Sequence, residues 1–199
     1  AATTLYGFID WNADGIFDIS ETVTAAVSDG TNGTVNLAFP VPIGAVTGTN
    51  LGARFRLSTA SGLTATGPAP DGEVEDYLVQ AIAYDYGDLP DNGIAGTGTG
   101  DYPTLDASNG PRHIIISGLN IGTTIDADAN GQPSVLADGD GTDEDGIASF
   151  PLFALGQTAN ITVNVVNTMT VPAGATLYGF IDWNNDGDFL DASETVSVA

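Results

Sequence analysis

A near-verbatim internal repeat is the feature of this sequence that most constrains its fold. Residues 4–17 read TLYGFIDWNADGIF and residues 176–189 read TLYGFIDWNNDGDF, an offset of 172 positions. After a one-residue insertion the match resumes, with SETV at 20–23 and again at 193–196. Two such copies predict a tandem array from which the chain is a window that starts and finishes inside a repeat unit. The alternative is a single domain that contains two similar hairpins.

The array interpretation divides the chain into two halves of consecutive units. Residues 1–83 would form the C-terminal half of one unit, which ends with the strand GEVEDYLV. Residues 84–199 would form the N-terminal half of the next unit, so that residues 1–26 repeat residues 173–199.

Periodicity predicts an all-β protein. The apolar residues fall in short runs that are β-branched or alternating, and no amphipathic helix of ten or more residues is convincing. The expected strands include 5–9, 35–39, 54–57, 77–79, 114–116 and 161–165. With 26 glycines and 10 prolines between them, the pattern indicates a β-sandwich, Ig-like or jelly-roll-like, with long calcium-binding loops.

The charge balance excludes several classes of function. The chain has 26 acidic residues against 3 basic ones, for a net charge of −23, and it lacks cysteine and lysine. Nucleic-acid binding is disfavoured because phosphate affinity needs cationic side chains. Disulfides, thiolate metal sites and lysine-derived cross-links are impossible. No run approaches the length of a membrane-spanning helix, so membrane insertion is not expected.

The distribution of the acids favours metal binding over adaptation to high salt. Of the 26 acidic residues, 23 lie in five clusters at 10–21, 71–76, 85–91, 126–145 and 182–194. A protein adapted to high salt spreads its acids over the surface, whereas a metal-binding protein gathers them.

The first cluster has the spacing of a twelve-residue EF-hand calcium loop. A hard cation of this size takes six to eight oxygen ligands, which alternate side chains of a tight turn can supply. The candidate ligands are Asp10, Asn12, Asp14, the carbonyl of Ile16, Asp18 and Glu21. The second copy offers Asp182, Asn184, Asp186, the carbonyl of Asp188, Asp191 and Glu194. The flanks look like strands rather than helices, which predicts a calcium loop on a β-hairpin. The alternative is an ordinary Asp/Asn/Gly turn.

Three further groups of acids are candidate metal sites. The acidic run at 126–146 offers Asp126, Asp128, Asn130, Asp138, Asp140, Asp143 and Asp145; the other groups are Glu73, Glu75 and Asp76, and Asp85 with Asp88. The alternatives are a solvated acidic linker for the run and pairing with Arg54 or Arg56 for the group at 73–76.

Several blocks of the chain resemble one known domain family. GEVEDYLV at 72–79, preceded by ARFRLS at 53–58, resembles the signature of the GEVED domain. Further similar blocks are YDYGDLPD (84–91), GTTIDADANGQPS (122–134), DGDGTDEDGI (138–147) and FIDWNNDGDFLDASE (180–194). The resemblance implies a β-sandwich-type module of large extracellular, adhesin-like bacterial proteins, without known enzymatic activity.

The leading functional hypothesis is a calcium-stabilised structural repeat of an extracellular bacterial fibre or adhesin. It would bind several Ca²⁺ ions, and its partners would be neighbouring copies of the repeat, joined head to tail, with a filament as one outcome. The alternative is a calcium-dependent module that binds a carbohydrate or a surface ligand, with Trp11 or Trp183 stacking on a sugar. No enzyme is expected, because the single histidine, His113, has no nucleophile motif beside it.

Overall fold

A computed structural model describes residues 3–91, 102–141, 145–170 and 174–199. It divides into two compact units, Ala1–Ile82 and Ala83–Ala199. Regular structure in the described residues consists of antiparallel strands and two three-residue 3-10 turns, which confirms the all-β class. Within the same residues, no helix is long and apolar enough to cross a membrane. The candidate ligand Asp143 lies outside the described residues.

The first unit is built on a four-stranded antiparallel sheet. Its strands are β1 (Thr3–Ile9), β2 (Thr22–Val27), β3 (Leu51–Ser58) and β4 (Glu73–Val79). They lie in the order β2-β1-β3-β4, so β1 is a central strand that pairs with β2 on one edge and with β3 on the other.

The two faces of this sheet are covered by irregular segments. On one face, a Cβ at Gly7 would lie 2.6 Å from the Phe39 ring and 2.8 Å from Leu37, so glycine is needed for the close approach. On the other face, Tyr6 and Phe8 pack with Ala65 from the β3–β4 connection. The core of the unit therefore depends on loops that are pinned against the sheet.

The strand expected at 35–39 does not form. These residues have no ladder partner, although Leu37 and Phe39 contact β1 through their side chains. Both edges of β1 are already paired, with β2 and with β3. Residues 35–39 pack on the face of β1, where no backbone N–H or C=O group of β1 is available for a ladder.

The second unit contains three two-stranded antiparallel sheets in its described residues. The strands are β5 (Tyr84–Tyr86), β6 (Arg112–Ile114), β7 (Leu119–Ile121), β8 (Val165–Asn167), β9 (Leu177–Phe180) and β10 (Thr195–Val198). The pairs are β5 with β6, β7 with β8, and β9 with β10. The strands expected at 114–116 and 161–165 are present only where they meet these ladders, at Ile114 and Val165.

Candidate metal centre

The two sequence repeats form the same β-hairpin in the same register. Phe8 lies opposite Thr22 in the first copy, and Phe180 lies opposite Thr195 in the second. The remaining pairs of the second hairpin also match the first, because Gly179 faces Val196 as Gly7 faces Val23. The predicted hairpin is therefore confirmed in both copies, and the one-residue insertion of the second copy is absorbed within its loop.

In the first loop, backbone amides fold onto the oxygens of the predicted ligands. Asp10 accepts hydrogen bonds from the N–H groups of Asp14 (3.2 Å) and Gly15 (2.9 Å). The amide oxygen of Asn12 accepts one from Asp14 N–H at 3.0 Å, and Asp14 accepts one from Ile16 N–H at 2.8 Å. This nest of bonds turns the chain sharply and gathers the side-chain oxygens toward the inside of the loop.

Glu21 closes the first loop from its far end. One carboxylate oxygen accepts the Trp11 N–H at 2.7 Å, and the other accepts the Asp18 N–H at 2.9 Å. Glu21 and Asp10 are both buried, at 5 % and 7 % exposure. A buried carboxylate is stable only where donors or a cation compensate its lost hydration, and here the loop backbone supplies donors.

The second loop repeats the main bonds of this pattern. Asp182 accepts the Gly187 N–H at 3.0 Å, as Asp10 accepts that of Gly15. Glu194 accepts the N–H groups of Trp183 (3.0 Å) and Asp191 (3.2 Å). Asp191 therefore takes the place of Asp18, and the displacement seen in the sequence does not alter the closing bonds.

The loops share their backbone conformations as well as their hydrogen bonds. Gly15 and Gly187 have φ angles of 84° and 96°, in the left-handed region where glycine has no steric penalty. Two positions earlier, Ala13 (φ 57°) and Asn185 (φ 59°) are also left-handed. Asparagine tolerates this conformation better than alanine, so the first loop carries local strain that the second relieves.

Tyr102 contacts the second loop and was not found by sequence reasoning. Its hydroxyl donates to Asp182 at 2.8 Å, and its ring stacks on Phe189 with the centroids 5.2 Å apart. Burial raises the pKa of Tyr102 to about 12, and the hydrogen bond to Asp182 adds to the effect. Burial opposes ionisation of Asp182 too, but bonds from Gly187 N–H and Tyr102 hold the pKa of Asp182 below its usual range. A lone tyrosine far from the loop in sequence carries no signal of this contact.

A third set of predicted ligands converges from two clusters that are distant in sequence. Asp85, Asp128 and Asp140 each place a carboxylate oxygen within 4.8 Å of the others, and they are the one group of three acids with this spacing among the described residues. Burial raises the pKa of Asp85 to about 6, and the charges of Asp128 and Asp140 contribute to the shift. In the two hairpin loops, three carboxylates do not approach one another this closely.

The acidic run that supplies Asp128 and Asp140 is held against β5. The Asp128 N–H donates to the Tyr84 carbonyl at 2.9 Å, and the Asp128 carboxylate accepts the Tyr86 N–H at 3.1 Å. Gln132, which sequence reasoning missed because it is uncharged, donates to Asp128 at 2.8 Å and to Asp140 at 2.7 Å. Its amide group therefore bridges two of the three acids.

The other predicted ligands around this group have separate partners. Asp88 accepts the Gly139 N–H at 3.1 Å, and Asn130 accepts the Asp106 N–H at 2.7 Å. Asp138 accepts the Ser134 hydroxyl at 2.7 Å. Asp126 and Asp145 are exposed, and the charge of Asp126 contributes to the raised pKa of Asp85.

The group at 73–76 engages an arginine and a tyrosine. Asp76 forms a two-pronged ion pair with Arg54, with both N–O distances at 2.7 Å. Arg54 holds the pKa of Asp76 below its usual range, chiefly through this hydrogen bond. Glu75 accepts the hydroxyl of Tyr77, and Glu73 is exposed on β4. For Asp76 the structure shows the arginine pairing that the sequence offered as an alternative to metal.

Both compact units are all-β, and each carries one copy of the acidic hairpin loop. Residues 4–80 match the model of the GEVED domain. This part of the chain, which lies within the first compact unit, is therefore a GEVED domain. No curated protein and no solved structure gave a significant match. The similarity of residues 84–199 to further blocks of the same repeat stays a prediction.

Proposed function

We propose that the chain is a calcium-stabilised structural repeat of an extracellular bacterial fibre or surface protein. The observation that carries the proposal is the conformation that the two hairpin loops share. They have the same strand register and the same main carboxylate-to-backbone bonds although Trp11 is buried, at 7 % exposure, and Trp183 is 53 % exposed. The loop conformation is therefore encoded by the loop sequence itself, and that sequence has calcium-loop spacing.

The bonds within the loops leave room for a cation. An ionised carboxylate has about four acceptor positions on its two oxygens, and the backbone N–H groups occupy only part of them. Asp10 and Asp182 each accept bonds from the amides of residues four and five positions ahead, which preorients their oxygens. A hard divalent cation would then complete its shell with side-chain oxygens, a backbone carbonyl and water.

Electrostatics also favours bound cations. The chain carries a formal charge of −23, and its acids are concentrated in a few clusters. At the third group, burial raises the pKa of Asp85 and the charges of Asp128 and Asp140 add to the effect, so the ionised form of Asp85 is disfavoured there. A divalent cation would reverse this penalty, since it attracts the same charges that repel one another without it.

Calorimetric titration of the intact chain tests the proposal. We expect calcium binding at more than one site, with at least one site lost in Asp10→Asn and another in Asp182→Asn. Each substitution keeps the shape of the side chain but removes the charge. Asp29→Asn is the matched control, because Asp29 lies outside the five clusters. Equal calcium binding by all four chains would refute the loop assignment, and no binding by the unmodified chain would refute calcium altogether.

The exposure of Trp183 supports a second candidate function. Its side chain is 53 % exposed beside the second loop and makes an edge contact with Phe153 at a centroid distance of 5.3 Å. An exposed aromatic ring next to a calcium loop is suited to stacking on a sugar. A glycan array probed with and without calcium tests this function, and a blank array in both conditions would dispose of it.

A further inference from the structure

Among the described residues, Tyr102 alone bonds the Asp182 carboxylate from outside the second loop. Its hydroxyl donates to Oδ2 of Asp182 at 2.8 Å, and the same oxygen accepts the Gly187 N–H at 3.0 Å. The other oxygen, Oδ1, accepts the N–H groups of Asn185 at 2.5 Å and of Asp186 at 3.3 Å. The two carboxylate oxygens therefore have separate partners, and Tyr102 engages only Oδ2.

The first loop shows which of these bonds belong to the loop sequence itself. Oδ2 of Asp10 accepts the Gly15 N–H at 2.9 Å, and Oδ1 accepts the Asp14 N–H at 3.2 Å. Both bonds recur at the matching positions of the second loop. The hydroxyl of Tyr102 is an addition to this shared pattern, and it comes from a position 80 residues away along the chain.

The bonds to Oδ2 orient the Asp182 carboxylate for a cation held by Oδ1. Oδ1 lies on the side of the turn that carries the next candidate ligands, 3.3 Å from the Asp186 nitrogen. A carboxylate can bind calcium through one oxygen, and ligating carboxylates are themselves hydrogen-bonded. Because Gly187 and Tyr102 both hold Oδ2, rotation of the carboxylate would break two hydrogen bonds. Asp182 is thus fixed before an ion arrives, which reduces the entropy lost on binding.

The ring of Tyr102 is fixed against the same loop. It stacks on Phe189 with the centroids 5.2 Å apart and the planes inclined by 21°. Phe189 in turn contacts Phe180 on β9 at a centroid distance of 5.8 Å. A tyrosine side chain has few rotatable bonds, so the stack on Phe189 leaves the hydroxyl little freedom to move away from Asp182.

The backbone that carries Tyr102 is also held in place. The Tyr102 N–H donates to the Pro90 carbonyl at 3.2 Å. Thr104 is buried, at 2 % exposure, and its hydroxyl donates to the Leu89 carbonyl at 2.8 Å. The Thr104 N–H donates to the buried carboxylate of Asp91 at 3.3 Å. Tyr102 therefore reaches Asp182 from a segment whose position is set by its own hydrogen bonds.

We propose that Tyr102 is a positioning residue of the second calcium loop, whose hydroxyl holds Oδ2 of Asp182 so that Oδ1 is presented to the cation. The inference rests on the proposed function, because it assigns a role at a calcium site proposed there. It makes the calcium affinity of the second loop depend on a residue outside the repeated sequence. Hydrogen-bond partners of metal ligands contribute about 10–100-fold to metal affinity. We expect the lower end of this range, since Asp182 keeps its three backbone donors.

Two other roles of Tyr102 lead to different outcomes when its hydroxyl is removed. A residue that only packs on the loop would change the stability of the chain and leave the calcium affinity as it was. A hydroxyl that occupied a position needed by the ion would compete with calcium, so its removal would strengthen binding. A positioning hydroxyl weakens binding when it is lost, so the sign of the change distinguishes the three roles.

Terbium luminescence sensitised by Trp183 reports an ion at the second loop. Terbium is a probe that takes the place of calcium and accepts excitation energy only from a nearby indole ring. Trp183 follows Asp182 in sequence, and its backbone N–H donates to the closing ligand Glu194 at 3.0 Å. The background variant Asp10→Asn removes the first candidate ligand of the other loop, so that Trp11 has no ion beside it. Calcium is then added to displace terbium, which gives the Kd for calcium.

In this background, Tyr102→Phe should weaken calcium binding at the second loop by about tenfold. The substitution removes the hydroxyl and keeps the ring that stacks on Phe189. Tyr77→Phe is the matched control, because it also removes a hydroxyl that donates to a carboxylate, that of Glu75 in the first unit. The control should bind calcium as the background does. Unchanged or tighter binding in Tyr102→Phe would overturn the proposal.

Near-ultraviolet difference absorption tests the hydrogen bond itself. A phenol that donates to a free carboxylate absorbs at longer wavelength than one whose acceptor is weakened by a bound cation. Calcium at Oδ1 of Asp182 should therefore shift a tyrosine band to shorter wavelength. The shift should be lost in Tyr102→Phe and kept in Tyr77→Phe, whereas packing alone would produce no such signal. A calcium-induced shift that is the same in all three chains would contradict the assignment.

The same samples separate this inference from the proposed function. Asp182→Asn, in the same background, should abolish the terbium signal and so confirms that the signal arises at the second loop. If neither terbium nor calcium binds at this loop in the background variant, the calcium proposal for the loop is refuted, and the role of Tyr102 with it. If calcium binds there and Tyr102→Phe binds it equally well, only the role of Tyr102 is refuted.

Discussion

Replacing Gly72, the first residue of the GEVED motif, with alanine should destabilise the first unit severely. Gly72 has a φ angle of 92°, and a Cβ placed there would lie 1.7 Å from the carbonyl oxygen of Leu57 and 3.1 Å from the Ser58 Cα. The neighbouring atoms are backbone atoms of β3, which cannot move without breaking the β3–β4 ladder. The substitution therefore combines an unfavourable backbone conformation with an overlap that has no easy relief.

A second glycine of the same connection separates the two contributions to this loss of stability, the backbone conformation and the overlap. Gly62 also has a positive φ, of 72°, but a Cβ there would meet nothing within 4 Å. Gly62→Ala should therefore cost only the conformational penalty, about 1–2 kcal/mol. Gly72→Ala should cost that penalty plus an overpacking term of about 1–3 kcal/mol or more. The difference between the two variants is the contribution of the close approach between Gly72 and β3.

Equilibrium unfolding in urea, followed by the fluorescence of Trp11, measures both costs. The background variant Trp183→Phe removes the second tryptophan, which is 53 % exposed, so the signal reports the first unit alone. Calcium is held constant in all samples. Equal free energies of unfolding for Gly72→Ala and Gly62→Ala would refute the reasoning, because they would show that a Cβ at position 72 does not collide with the backbone of β3.

Three further predictions concern the acidic sites. Glu21→Gln, measured in chelator, should lower the free energy of unfolding by about 1–3 kcal/mol in a urea titration, since the amide replaces a buried carboxylate that accepts backbone N–H groups. Ala13→Asn should raise it by about 0.5–1 kcal/mol, because Asn185 occupies the matching left-handed position, and a loss of stability would contradict the loop geometry. The Asp85 carboxyl is shifted up from 3.8 to about 6 in the folded state, so its stabilisation without calcium is complete below about pH 4 and is lost as the pH rises through about 6. Thermal melts in chelator from pH 4 to 7 should show this loss in the natural chain and a smaller one in Asp85→Asn.

The sequence predicts the hairpins well because their determinants are local. Alternating apolar residues set the strands, and the spacing of Asp10, Asn12 and Asp14 before Gly15 sets the turn. Each of these residues bonds within its own loop, so no distant partner is needed. Because residues 176–198 repeat this sequence almost residue for residue, they adopt the same hairpin.

Contacts between distant segments could not be predicted in the same way. Asp85 and Asp128 belong to separate clusters, and the bridge between Tyr84 and Asp128 that joins them has no periodic signature. Tyr102 and Gln132 approach the acids through tertiary packing, and neither residue has a motif. Trp11 is buried and Trp183 is 53 % exposed although both lie in the repeated sequence, because burial depends on tertiary neighbours, such as Phe39 beside Trp11, rather than on the repeat itself.

The measurement that tests the central claim most directly is the melting temperature of the intact chain with calcium and after exhaustive chelation. At free calcium about 1,000 times above Kd, one site stabilises the folded state by about 4 kcal/mol, which corresponds to a rise of about 10 °C for a chain of this size. Magnesium at the same concentration should do less, because it demands a smaller and more regular shell. We predict that the melting temperature with calcium lies well above that of the folded chain in chelator. An unchanged melting temperature after complete removal of calcium would contradict the account.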